Sequence, residues 1–69
     1  MNIFINGQTF ELAASSNIAD ALTLFLSEEQ KQLSFAVALN QNFVAKGQYE
    51  TVELTEQDSL DVLFPIQGG

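Results

Sequence analysis

Asn6-Gly7 stands between two stretches that alternate apolar and polar residues. Both central residues of a type I′ turn need positive φ, which Asn and Gly adopt at least cost, so this dipeptide folds its flanks into an antiparallel hairpin. Ile3 and Ile5 alternate with Asn2, Phe4 and Asn6 before it. Phe10 and Leu12 alternate with Thr9 and Glu11 within residues 8–13 after it. A period of two places each apolar set on one face of a strand. The chain therefore opens as strand, tight turn, strand.

Ala14-Ser15-Ser16-Asn17 interrupts that alternation. The Asn17 side chain is suited to accept the first free N–H groups of a helix. Asp20, three residues on, brings a negative charge to the positive helix end at close to capping-box spacing. Ile18, Ala21, Leu22, Phe25 and Leu26 then recur as one apolar stripe, with Asp20, Thr23 and Ser27 off it. The spacing predicts a helix from residue 18 to about residue 27. Residues 28–32 are polar and read as frayed helix or loop.

Phe35, Val37 and Leu39 alternate with Ala36, Ala38 and Asn40, which gives a third strand whose second face carries small residues. Asn40-Gln41-Asn42 reads as a turn and Phe43-Val44 as a short fourth strand. Residues 46–49 are irregular, with room for a single 3₁₀ turn, and residues 51–54 form a short extended piece. Residues 56–59 make a polar turn. Leu60, Val62 and Phe64 alternate with Asp61 and Leu63 as the last strand. Pro65 has no N–H to give to a ladder, so regular pairing fades there.

Composition limits the chemistry. The 69 residues allow one domain, and a hydrophobic share of 46% with a single proline marks a folded chain. The absence of cysteine excludes disulfides, thiolate metal sites and a cysteine nucleophile. The absence of histidine excludes a Ser-His-Asp triad, and with no cysteine a zinc site has no basis. The carboxylates show no spacing suited to acid–base work. No catalytic residue and no metal ligand is assigned, and the residues show no internal active site. Nine acids against two lysines give a formal net charge of -7. Nucleic acid and anionic membrane surfaces are poor partners for such a chain. The acidity serves either solubility or a partner with a basic docking surface. No signal-like start and no long apolar run is present, so the expected compartment is the cytoplasm.

The element order is strand, strand, helix, strand, short strand, strand. An apolar, alternating last strand belongs in an interior slot, parallel to and beside the first. The expected architecture is α+β: a β-grasp (ubiquitin-like) roll, with one helix on one face of a mixed sheet of four to five strands. Residues 1–65 form the expected domain and residues 66–69 a flexible tail. Parity turns Phe4 and Leu63 away from the helix. With the first and last strands adjacent, the expectation is one small apolar patch beside the tail. Asp61, Glu53, Glu56 and Asp58 would surround it, and Phe43 is a third docking candidate. Single exposed apolar residues are also ordinary on protein surfaces.

The sequence ends in Gly68-Gly69. A β-grasp pattern that runs into Gly-Gly just after its last strand resembles the ubiquitin-like sulfur carriers, and within them the ThiS family of thiamine thiazole biosynthesis. The Ile3/Ile5 strand with Asn6-Gly7, the helix start at Asn17 and Asp20, Ala38-Leu39-Asn40, and Asp58 before the last strand fit as well. Two departures are Gln57, where the family often has glycine, and Pro65. The resemblance implies that the terminal carboxylate of Gly69 is adenylated within a ThiF-like adenylyltransferase. A sulfur donor protein then converts it to a thiocarboxylate, which passes sulfur to thiazole synthase. Gly68, Gln67 and Ile66 would thread the partner's channel, and Phe4, Leu63, Asp61 and Phe43 would dock. No cofactor is bound in this scheme; the activating partner uses ATP. The resemblance makes the chain a co-substrate rather than an enzyme; a molybdopterin-synthase small subunit, a ubiquitin-like modifier and a plain interaction domain with an incidental Gly-Gly are the alternatives. Lys31 and Lys46 read as solubility residues, with isopeptide acceptance as the sharper option.

Overall fold

The computed structural model describes residues 1–65. The opening hairpin forms as its turn dipeptide requires. Strand β1 (Asn2–Ile5) and strand β2 (Gln8–Glu11) pair antiparallel, with Ile5 opposite Gln8. Asn6 and Gly7 take φ of 50° and 83°, the left-handed values of a type I′ turn.

Helix α1 (Ile18–Phe25) starts on the predicted capping box. Asp20 N–H donates to the Asn17 side chain at 2.8 Å, and Asn17 N–H donates to the Asp20 carboxylate at 3.0 Å. The neighbouring free donors are also taken. Ile18 N–H reaches the Val52 carbonyl at 3.1 Å and Ala19 N–H the Tyr49 carbonyl at 2.9 Å. The loop over residues 49–54 is thereby tied to the helix start, and its last residue, Leu54, is buried in the core cluster.

The helix ends sooner than its stripe suggests. Leu26 gives the final helical bond, its N–H donating to the Leu22 carbonyl at 2.9 Å, but its own backbone is extended. Ser27 and Gln30 explain the stop. Ser27 N–H donates to Gln30 Oε1 at 2.9 Å and Gln30 N–H donates to Ser27 Oγ at 3.1 Å. This second capping box starts a new turn at Ser27, and residues 30–32 form a 3₁₀ turn.

Strand β3 (Ala36–Leu39) and strand β4 (Asn42–Val44) form a second hairpin, closed by Asn40 and Gln41 at φ of 48° and 75°. A single 3₁₀ turn over residues 46–48 follows. Strand β5 (Ser59–Leu63) occupies the centre of a five-stranded sheet of order β2-β1-β5-β3-β4. It runs parallel to β1 and antiparallel to β3. The expected interior slot for the last strand is confirmed.

Ile3 and Ile5 from β1, Val37 from β3, and Leu60 and Val62 from β5 meet Ile18, Ala21, Leu22 and Leu26 in one buried cluster. Phe10 and Phe25 close one side with an edge-to-face contact at 5.8 Å, joining hairpin to helix. Among the described residues, no buried side-chain polar atom lacks a partner.

Candidate functional site at the exit of the central strand

The site expected from the sequence hangs from the end of β5, so the geometry there decides how much of it is built. Ile66, Gln67, Gly68 and Gly69 lie outside the described residues. What is described is the place from which the chain leaves the sheet. Phe64 leans back against the core and meets Phe35 at 5.8 Å. Leu63 lies opposite Ala36 at the start of β3, and Ala38 of β3 lies opposite Phe43 of β4. Leu63 and Phe43 are 50% and 73% exposed. With Ser34, Ala36 and Pro65 they line an open, mainly apolar hollow of about 380 Å³ beside the exit.

Phe4 does not join this patch. Its register partner on β5 is Ser59, four residues before Leu63. At ~3.3 Å per residue, roughly 13 Å of strand separates the two positions. Phe4 is also half-buried. The single Phe4–Leu63 patch expected from parity is therefore corrected. Parity assigns the face, but register assigns the place along it: Phe43 lies in one row with Ala38 and Asp61, the next outward position from Leu63, and lines the same hollow as Leu63.

The expected acidic surround is corrected too. Glu53 forms a β-bridge with Asn17 at the helix start. Glu56 accepts from Asn2 N–H with both carboxylate oxygens, at 2.9 and 3.1 Å. Asp58 accepts from Thr55 N–H at 2.8 Å and from the Asn40 amide at 3.1 Å. Burial pushes the Asp58 carboxyl up, and these hydrogen bonds outweigh it, holding it below the usual carboxylate range. Asp58 closes the turn that leads into β5, and Glu56 holds the start of β1 from the same turn. Neither rings the exit. Asp61, opposite Ala38 and half-buried, is the acid that shares the outward parity of Leu63.

The lysines sit elsewhere. Lys31 lies 3.3 Å from Glu28, and both lysines line a second hollow of about 300 Å³ with Tyr49, whose phenol burial pushes up.

Two residues near β5 carry contacts that periodicity did not reveal. Asn40 accepts from Ser59 N–H at 2.9 Å at the beginning of the strand. Asn6 accepts from Val62 N–H at 2.7 Å and donates to the Val62 carbonyl at 3.2 Å near its end. Their places at strand ends and in turns predict neither contact. The available signal was an asparagine in a tight turn beside a strand that needs further partners.

The ThiS family model matches residues 3–69, nearly the whole chain and including both terminal glycines. The chain belongs to the ThiS family. This is a family of small sulfur carriers of thiamine biosynthesis. Two solved structures share the fold. One is the crystal structure of the thiamine biosynthesis protein ThiS from Geobacter metallireducens, with a TM-score of 0.78 and 21% identity over 100% of both chains. The other is the NMR solution structure of a thiamine biosynthesis protein from Geobacter metallireducens. It has a TM-score of 0.71 and 24% identity over 100% of this chain and 88% of that one. No curated protein matches the chain at a significant level. Family membership bears out the expected resemblance, and the likeness to these structures bears out the β-grasp roll.

Proposed function

We propose that this ThiS-family chain carries sulfur on Gly69, with residues 66–69 entering the active sites of its partners. The observation that carries the reading is the family match, which runs through Gly68-Gly69. The central position of β5 supports it, because a strand held on both flanks gives the residues that follow a fixed point of departure.

In the proposed cycle a Gly69 carboxylate oxygen attacks the α-phosphorus of ATP inside a ThiF-like adenylyltransferase, and pyrophosphate leaves. Sulfur at the oxidation level of sulfide, supplied by a donor protein, adds to the acyl carbon as AMP leaves. The resulting thiocarboxylate gives its sulfur to thiazole synthase. Glycine suits both last positions, since without a Cβ it fits a narrow channel and leaves the approach to phosphorus open. The chain supplies the reacting carboxylate and no catalytic side chain, and it works in the cytoplasm. Leu63 and Phe43 form the docking patch, with Asp61 on the same face; exposed apolar side chains gathered beside one hollow mark an interaction surface, where scattered ones do not.

Intact mass measured after incubation with ATP, the adenylyltransferase and a sulfur donor tests the reading. The expected product is heavier by the difference between sulfur and oxygen. A mass that does not change overturns the proposal, and higher-mass conjugates point to a protein modifier instead.

A further inference from the structure

The parallel ladder between β1 and β5 advances two residues at a time. Phe4 N–H donates to the Asp58 carbonyl at 2.8 Å, and Asn6 N–H donates to the Leu60 carbonyl at 2.9 Å. The next rung belongs to Val62. The β1 backbone cannot supply it, because the chain has turned away at Asn6-Gly7. The Asn6 side chain fills the gap. Its Oδ1 accepts from Val62 N–H at 2.7 Å, and its Nδ2 donates to the Val62 carbonyl at 3.2 Å. An amide side chain carries the same donor and acceptor as a peptide unit, so it replaces the missing strand. Both contacts are partly buried, which limits competition from water.

We propose that Asn6 is a positioning residue for the reaction at the chain end: its side-chain amide extends the sheet by one rung and sets where, and in which direction, the chain leaves β5. Without it, the last residue held on the β1 flank is Leu60 rather than Val62. Two residues, Leu63 and Phe64, separate Val62 from Pro65, and the proposed reacting residue, Gly69, comes four positions later. The inference rests on the proposed reaction at Gly69. Asn40 provides an internal contrast. It too sits in a tight turn and bonds the β5 backbone, but at Ser59, the end of the strand far from the exit.

The test compares Asn6→Gly, Asn6→Asp and Asn40→Gly in the full chain. Glycine accepts the positive φ at either turn and removes only the side chain. Amide exchange followed by NMR reads the rung directly, and adenylation by the activating enzyme reads its use. In Asn6→Gly the Val62 amide should exchange roughly tenfold faster, the loss expected for one to two hydrogen bonds. Val37 should keep its protection. The KM for the carrier should rise by about the same factor with kcat nearly unchanged, since a less directed chain end lowers the competent fraction before binding. Asn6→Asp keeps the acceptor for Val62 N–H and should fall between; it also serves if the glycine variant folds poorly. Asn40→Gly should lose thermal stability without a change in KM. Unchanged Val62 exchange in Asn6→Gly overturns the rung. Faster exchange with wild-type KM, or an equal KM rise in Asn40→Gly, overturns the positioning role. Failure of the wild type to be adenylated overturns the proposed reaction itself, and with it this role, while the exchange data still report the rung.

Discussion

Gln57 takes φ of 71° with a side chain present, and its N–H donates to the Asn2 carbonyl at 2.7 Å. The left-handed conformation costs a residue with a Cβ roughly 1–2 kcal/mol. Glycine removes that strain but adds about 0.4–1 kcal/mol of unfolded-state freedom. Gln57→Gly is therefore expected to stabilise the domain by about 0.5 kcal/mol, as the balance of those two effects. Gln57→Val, β-branched at the same φ, should destabilise it. Denaturant unfolding of the two variants checks the contrast. Next to it, Asp58 predicts a pH dependence. Its carboxyl is held below its usual value in the folded state. The stabilisation is complete above the unfolded pKa, about 4, and is lost as pH falls through the lower folded value. Thermal unfolding from pH 6 downward should show wild type losing stability on acidification. Asp58→Asn should start lower at neutral pH and respond less to acid.

At the scale of elements, α1 is held more by its buried face than by its length. Eight residues make little more than two turns, too short to persist alone in water. Leu22 sits mid-stripe and is buried against β1, β3 and β5 side chains in the common cluster. Leu22→Ala is expected to cost roughly 2–5 kcal/mol, enough to unfold much of the population of a small domain. Chemical denaturation measures it, and a loss near zero would contradict the packing described. Thr23, on the exposed side, donates its hydroxyl to the Ala19 carbonyl and should tolerate alanine.

For the molecule as a whole, the placement of charge and apolar surface sets expectations for binding. Among the described residues Phe43 is the most exposed of the large apolar ones, so Phe43→Glu should leave unfolding nearly unchanged. It should still weaken association with the activating enzyme, as should Leu63→Glu. Phe4, one patch removed, is expected to affect folding more than binding. Association rates across a salt series add a second measure. A chain of net charge -7 meeting a basic surface should associate more slowly as salt screens the attraction. Rates independent of salt would remove the steering. Removal of residues 66–69 should abolish adenylation with little change in unfolding temperature, because β5 ends at Leu63 and the core lies behind it. No helix among the described residues is long and apolar enough to cross a membrane.

What the sequence determined alone was whatever local rules decide. A period of two named the buried faces of β1 and β5, and Ile3, Ile5, Leu60 and Val62 are buried accordingly. Asn6-Gly7 specified its turn, and Asn17 with Asp20 specified the helix start. Ser27 and Gln30 also stood at capping-box spacing, but the apolar stripe through Leu26 masked the stop they impose. The role proposed for Gly69 was legible only through likeness to a family, since two glycines have no side-chain chemistry of their own. Tertiary structure alone decided position along the strands. Phe4 and Leu63 share a parity yet lie level with different ends of β5, and Leu54, in a short extended piece outside the sheet, is a core residue. Nor does any local pattern announce that Asn6 bonds Val62, 56 residues away. Periodicity tells which way a side chain points. Register between strands distant in sequence depends on how the whole core closes, and only the folded chain fixes it.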